Sequence, residues 1–399
     1  MNHDILLPKG FQVAGVHCGI KPSGLPDLAL FRSDLPATVA GVFTRNQVAA
    51  APVHLSRERV AGGAGQAVVI NSGNANCCTG AQGHADALEM GKLTADALGI
   101  DESLVSVCST GHIGKPLDMA PVRKGIALAA EALSSTSAAQ VAEAIMTTDT
   151  VPKALTTELT IDGKTARISG FCKGAGMIEP NMGTMLGVIL CDLSIAAPAL
   201  WEAHTRAVDA SFNRISVDGD TSTNDTVLLY ANGASGISIE PGSDAFTQFQ
   251  SALDALCLQL SHMIVRDGEG ATRFLTLTVS GAKHDADADA VARTVANSLL
   301  VKTGWAGGDP VWGRILGAIG RAPALVDESK IRISCDGVVL VESGVEAFNE
   351  NRAQAMGSDV AIDIDLGLGN GQAVIYTNDL TEEYVAINLA EYVEDEEAP

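Results

Sequence analysis

The chain has no run of apolar residues approaching the roughly 18 that a transmembrane helix needs, so no membrane span is expected. Its start, MNHDILLPKGFQVAG, lacks a basic segment leading into an apolar core, so no secretory leader is expected and a cytoplasmic setting is. No cysteine or histidine pairs with another at metal-ligand spacing, and no metal centre is expected. The eight cysteines (Cys18, Cys77, Cys78, Cys108, Cys172, Cys191, Cys257 and Cys335) form no C-x-x-C; small, reduced, buried thiols are the expectation for most of them. A G-x-S-x-G elbow, a P-loop and an H-E-x-x-H helix are all missing. Basic residues are few: 26 Lys and Arg stand against 48 Asp and Glu, a formal net charge of −22. So acidic a surface repels phosphate backbones and excludes nucleic acid as an expected partner.

What is present is a globular composition, 46% hydrophobic and 19% charged over 399 residues, with 41 glycines for tight turns. The first third mixes short strands with glycine turns. A strand is predicted over Ala67–Ile70, a helix over 84–100, a strand over 104–114 and helices within 119–146. Alternation around Asp162–Gly163 predicts a hairpin, followed by a core strand over Met185–Leu193. Helices are expected at Ala196–Phe212 and Ala245–Arg266, with a strand at Thr226–Tyr230 between them. Beyond Glu269 the pattern gives a strand at 273–282, one helix over 287–303, another at 312–322, and strands within 330–344, 359–367 and 371–380. GLGNGQ (367–372) reads as a hairpin turn. The mixture of hairpins and helices predicts an α+β fold, a layered α/β sandwich main domain at 1–280 and a smaller α/β C-terminal domain at 281–399.

Six polar, glycine-rich segments interrupt the apolar strands: 71–80, 109–114, 146–153, 172–187, 218–226 and 266–274. Any one reads as a loop capped by its own side chains, but six beside core strands mark a site. Within 172–187, Thr184 follows Gly183 and precedes the apolar strand. A threonine at a chain terminus carries its own base, because its α-amine titrates near neutral pH. In an intact precursor the Thr184 hydroxyl can attack the Gly183 carbonyl, turning the amide into an ester that water cleaves. Gly183 offers no side chain to hinder the attack. On the local sequence alone, an ordinary threonine opening a strand is the commoner reading.

Seven motifs change that balance: NSGNAN (71–76), STG (109–111), MTTDT (146–150), KGAGMIEPNMGTML (173–186), STNDT (222–226), DGEG (267–270) and WGR (312–314). In order, and over nearly the whole chain, they resemble the ornithine acetyltransferase family, the bifunctional glutamate N-acetyltransferases of arginine biosynthesis. The resemblance implies self-cleavage between Gly183 and Thr184, giving an α chain (1–183) and a β chain (184–399) whose first residue is the acetyl-carrying nucleophile. It makes Thr110 and Gly111 the pair that stabilises the oxyanion. Thr147, with Thr148 open on register, Lys173, Glu269 and Asn388 become substrate-binding residues, together with Thr184 itself. It implies ping-pong transfer from N-acetylornithine to glutamate, with acetyl-CoA as a further donor. No metal or organic cofactor is implied, and the implied assembly is a heterotetramer of two α and two β chains. A self-processing aminopeptidase or amidohydrolase with an N-terminal threonine is the alternative, in which water takes the acyl group. The chain departs from the family pattern at Gly183 (usually Ala), Val311 (usually Asn), Asn378 (often Cys or Thr) and its end, where Val393 or Glu394 replaces a hydroxyl residue.

Overall fold

The structure, a computed structural model, describes residues 5–179, 185–348 and 356–396. The chain divides into two compact units: Met1–Asn213 with Asp220–Met263, and Arg214–Gly219 with Ile264–Pro399.

The first unit carries a mixed sheet of eight described strands: β1 (Phe11–Val16), β2 (Leu28–Phe43), β3 (Ala64–Asn74), β4 (Val105–His112), β5 (Lys153–Ile161), β6 (Lys164–Lys173), β7 (Leu186–Cys191) and β8 (Thr226–Ala231). Their order is β4-β3-β2-β8-β7-β6-β5, with β1 also on β2. The β3–β4 and β7–β8 pairs are parallel and the others antiparallel. The predicted hairpin is β5–β6; Asp162 and Gly163 take φ of +49° and +74°, the two left-handed residues of a type I′ turn. β2 is no short strand: its 16 residues pair β1 along the first half and β8 along the second.

The apolar run of β3 is explained by burial on both faces. Ala67 and Val69, with Leu28 and Leu30 of β2, join a core that includes Leu55 of α1 (Ala51–Val60), Met90 of α2 (Gly80–Leu98) and Val122 and Ile126 of α3 (Met119–Ala132). Val68 and Ile70, with Ala29 and Phe31, join a second core that includes Val141 of α4 (Ala138–Ala144). The layered expectation holds in this form. Helices α5 (Ala197–Ala210) and α6 (Asp244–Arg266) follow the prediction to within a few residues.

The second unit has six described strands in the order β12-β11-β10-β13-β9-β14. These are β9 (Phe274–Ala282), β10 (Arg332–Cys335), β11 (Val338–Glu342), β12 (Val345–Glu346), β13 (Asp359–Asp365) and β14 (Gly371–Asn378), with helices α7 (Asp285–Ala296), α8 (Leu299–Ala306), α9 (Trp312–Gly320) and α10 (Glu382–Glu396). Leu275, Leu277 and Val279 of β9 pack with Val291, Val295, Trp305 and Ile315 in one core.

Three expectations change here. The boundary expected near 280 falls inside β9, which is paired on both sides, so the unit begins before that strand. The single helix expected over 287–303 is two, broken at Asn297–Ser298, where Ser298 takes an extended backbone. GLGNGQ is not a hairpin turn, because β13 and β14 lie on opposite sides of β9. The connection steps over the end of β9, and the N–H groups of Leu368 and Gly369 both donate to the Gly281 carbonyl.

Val311 holds φ +47°, a region β-branched residues avoid and asparagine tolerates, so this departure from the family pattern carries strain. No described helix is long and apolar enough to cross a membrane. All eight cysteines are free, and all but Cys78 are buried.

Candidate active site

The first part of the site is made where β3 and β4 end together. Asn71, Ser72 and Gly73 pair in parallel register with Ser109, Thr110 and Gly111. Gly111 holds φ +130° and lies so close that a β-carbon there would run into the backbone of Gly73 and Asn74. No other residue fits without moving β3. Ser109 Oγ donates to Asn71 Oδ1 (2.5 Å), and Asn71 Nδ2 donates to the Asn74 carbonyl (2.8 Å). Thr110 is half-buried and Gly111 exposed on this braced rim. A threonine hydroxyl and a glycine N–H held this way are the kind of donors that stabilise an oxyanion.

The second part is a charged cluster around Asp149. Its carboxylate is enclosed and pairs with the equally enclosed Lys153 (Nζ–Oδ1, 2.7 Å). It also accepts the N–H of Gly174 (2.7 Å) and of Thr147 (3.0 Å). Lys173 Nζ lies 3.8 Å from Asp149 Oδ2 and donates to Thr147 Oγ1 at 2.5 Å. Of the two threonines left open by register, Thr147 is therefore the one brought to Lys173. Burial alone would raise the Asp149 carboxyl, but Lys173, Lys153 and the Gly174 N–H together hold it down at about 2. The cluster keeps one carboxylate ionised and presents Lys173 at its edge.

Gly183 and Thr184 lie outside the described residues, but the chain on both sides of them is pinned by one segment, 218–226. Glu179 N–H donates to the Asp220 carbonyl (2.9 Å), and Ile178 bridges Thr221. On the far side, Thr226 N–H donates to the Met185 carbonyl (3.0 Å), and Leu186 sits on the rung between Thr226 and Lys173. The same segment reaches the β3–β4 rim: Asn224 Nδ2 donates to the carbonyls of Ala75 (2.6 Å) and Ser109 (2.8 Å). Next to it Asp225 is fully buried, and its Oδ2 has no hydrogen-bond partner among the described residues. Burial pushes this carboxyl well up, against hydrogen bonds from Ser222, the Met185 N–H and Thr44. Five of the six polar segments thus meet within the first unit, the segment 218–226 from Asp220 onward.

The sixth, with Glu269, belongs to the second unit. Asn388, on α10, donates from Nδ2 to Glu269 Oε2 (2.8 Å) and to the Tyr384 carbonyl (2.9 Å). Glu269 is buried at the turn between two glycines. A β-carbon at Gly268 would meet the Asn378 amide, and one at Gly270 the backbone of Tyr384. Thr381 Oγ1 donates to the Gly270 carbonyl (2.7 Å), fixing the start of α10 to the same turn. The carboxylate of Glu269 is suited to a cationic amine. Asn378, a departure from the family pattern, carries a structural load: its Oδ1 accepts from Lys302 (2.9 Å) and its Nδ2 donates to the Val265 carbonyl (3.2 Å).

Asp149, Lys153, Asn224 and Asp225 all lie inside the polar segments, yet the motifs do not single them out. An aspartate and a lysine four apart in MTTDTVPK were the available signal. Lys21 was outside every marked segment; its stem lies over Gly73, 3.1 Å from where a β-carbon would stand.

Residues 12–393 match the ArgJ family. The chain is 46% identical over 385 residues to the arginine biosynthesis bifunctional protein ArgJ of Geobacter sulfurreducens, covering 95% of this chain and 98% of that protein. It is 48% identical over 384 residues to the protein of the same name in Syntrophotalea carbinolica, covering 95% and 98%. The crystal structure of the arginine biosynthesis bifunctional protein from Bacillus halodurans is 41% identical to it, over 44% of this chain and 92% of that one, with a TM-score of 0.42. With such a match over nearly its whole length, joined to these motifs in this order, the chain belongs to the ArgJ family.

Proposed function

We propose that this chain cleaves itself between Gly183 and Thr184 and that the new N-terminal threonine carries acetyl groups from N-acetylornithine to glutamate. As a member of the ArgJ family it is an acyltransferase of arginine biosynthesis. The observation that carries the finer reading is the reach of segment 218–226. It pins the chain on both sides of the cleavage point and, through Asn224, the rim that holds Thr110 and Gly111.

In the proposed reaction, Thr184 Oγ attacks the acetyl carbonyl and its proton passes to the Thr184 α-amine. Thr110 and Gly111 stabilise the tetrahedral oxyanion, an effect worth about 3–4 kcal/mol per donor in comparable sites. Collapse breaks the amide bond, and the departing amine of ornithine takes the proton from the α-amine. Glutamate then attacks the acetyl ester with its own amine, and Thr184 recovers its hydroxyl proton. Thr147 and Lys173 hold the substrate in the first unit. Glu269, steadied by Asn388, receives the cationic side chain of ornithine. Acetyl-CoA is a second donor in this reading, no metal or organic cofactor takes part, and the working assembly is two α and two β chains in the cytoplasm.

The test is intact-mass measurement of the purified protein incubated with N-acetylornithine. Wild type should give fragments 1–183 and 184–399, the second carrying one acetyl group, and Thr184→Ala should remain one intact chain. An intact wild-type chain after full maturation would refute the reading. Ornithine release that ignores added glutamate would replace transfer with hydrolysis.

A further inference from the structure

In a chain with a formal charge of −22, three lysines gather in the first unit around the candidate site: Lys153, Lys173 and Lys21. Lys153 is closed off by Asp149, and Lys173 is partly offset by it. Lys21 is held differently. The buried carboxylate of Asp27 accepts the N–H groups of Cys18 (2.7 Å), Gly19 (3.0 Å), Ile20 (2.7 Å) and Lys21 (3.1 Å), which winds the loop around it. That winding fixes where the Lys21 side chain starts. Its stem runs across Gly73, whose rung partner is Gly111. The ammonium donates to the Pro26 carbonyl (2.8 Å), its one hydrogen-bond partner among the described residues. An ammonium has three N–H donors, so two remain for a ligand or water.

The surrounding charges define what that ligand is. Asp27 is saturated by backbone donors, and Asp149 by Lys153, Gly174 and Thr147. Burial lowers the Lys21 ammonium to about 8; Lys173 adds to this, while Asp27 and Asp149 oppose it. Lys173 is close enough to disfavour the charge on Lys21, and among the described residues the carboxylates that act on Lys21 are these two, Asp27 and Asp149. An anion placed beside the two lysines relieves both. Each amino acid in the proposed reaction brings one, its α-carboxylate.

We propose that Lys21 is a substrate-binding residue that, with Lys173, holds the α-carboxylate of the acetyl donor and of the acceptor amino acid. The assignment rests on the acetyltransferase reading above. It divides the work in the first unit: Gly111 and Thr110 face the acetyl oxygen, and Lys21, crossing the neighbouring strand, faces the carboxylate.

The test compares Lys21→Met and Lys21→Arg with wild type on N-acetylornithine and on N-acetylputrescine, the same molecule without its carboxylate. Self-cleavage is checked first on a denaturing gel and is expected to be complete in all three. Lys21→Met should raise KM for N-acetylornithine and for glutamate by about 10- to 100-fold, the range for losing a charge-assisted hydrogen bond, while kcat changes less than about threefold. Lys21→Arg should recover most of the loss. With N-acetylputrescine, wild type and Lys21→Met should be equal. An equal penalty on both compounds overturns the carboxylate assignment and makes Lys21 a brace for the loop. Unchanged KM values also overturn it. Wild type that releases amine from neither compound refutes the acetyltransferase reading itself, and the Lys21 assignment falls with it.

Discussion

Each unit takes a lysine wholly out of water, and the two are held by opposite means. In the first, Lys153 meets the carboxylate of Asp149 at 2.7 Å, and the ion pair is completed by backbone N–H donors and Lys173. In the second, Lys302 donates to neutral oxygens, Thr377 Oγ1 (3.1 Å), Asn378 Oδ1 (2.9 Å) and the Asn378 carbonyl, and the carboxylates of Asp218 and Asp379 act on it only at longer range. Burial therefore lowers the Lys302 ammonium to about 7. A carboxylate held ionised by its neighbours can fix one lysine against it and hold a second ready for an anion. A charge held by dipoles alone sits on the edge of losing its proton, which suits a brace between β14 and α8 better than a binding group.

The strongest way to break this comparison is Asp149→Asn. It strands Lys153 and crowds Lys173, and should cost about 3–5 kcal/mol in urea denaturation at neutral pH. Asp149 is held at about 2, below its ordinary 3.8, so its contribution is present above 3.8 and lost as pH falls through 2. The gap between wild type and variant should narrow by about 2–2.5 kcal/mol across that window. A variant as stable as wild type would mean that the cluster carries no net charge coupling.

Lys302→Met sharpens the other side. Between about 7 and the ordinary 10.5, the unfolded chain binds a proton at Lys302 that the folded chain does not, so wild-type stability rises with pH there. Measured against Lys302→Met, wild type should gain up to about 5 kcal/mol across that window, and the variant should lack the rise. Parallel curves would show that Lys302 stays charged when folded.

The smallest effect is expected at Asn388→Ala, which removes the donor to Glu269. Stability should fall by about 0.5–1.5 kcal/mol, while KM for N-acetylornithine rises with self-cleavage intact. A change in kcat alone would place Asn388 outside substrate binding.

Strand and helix positions were readable because the apolar period is written in the chain: the β5–β6 turn at Asp162–Gly163 and the two-faced burial of β3 both follow from local residues. The helix break at Asn297–Ser298 was not readable, because the apolar pattern runs through it. GLGNGQ misled for a related reason. A glycine turn between two strands looks the same whether the strands pair with each other or with a third between them, and β9 comes roughly a hundred residues earlier.

At the site, the residues taken from the motifs were legible as types. Their partners were not, since Lys173 meets Thr147 across 26 positions and Asn224 meets Ser109 across 115. The sequence by itself determined the family, the order of the polar segments, and the chemistry that a Gly183–Thr184 bond and a nearby glycine rim make available. Only the tertiary structure decided which charges compensate which. Asp149 became the centre of a cluster, Lys302 a brace and Lys21 a cation with donors to spare, because ionisation depends on burial and on neighbours in space, and neither is written along the chain.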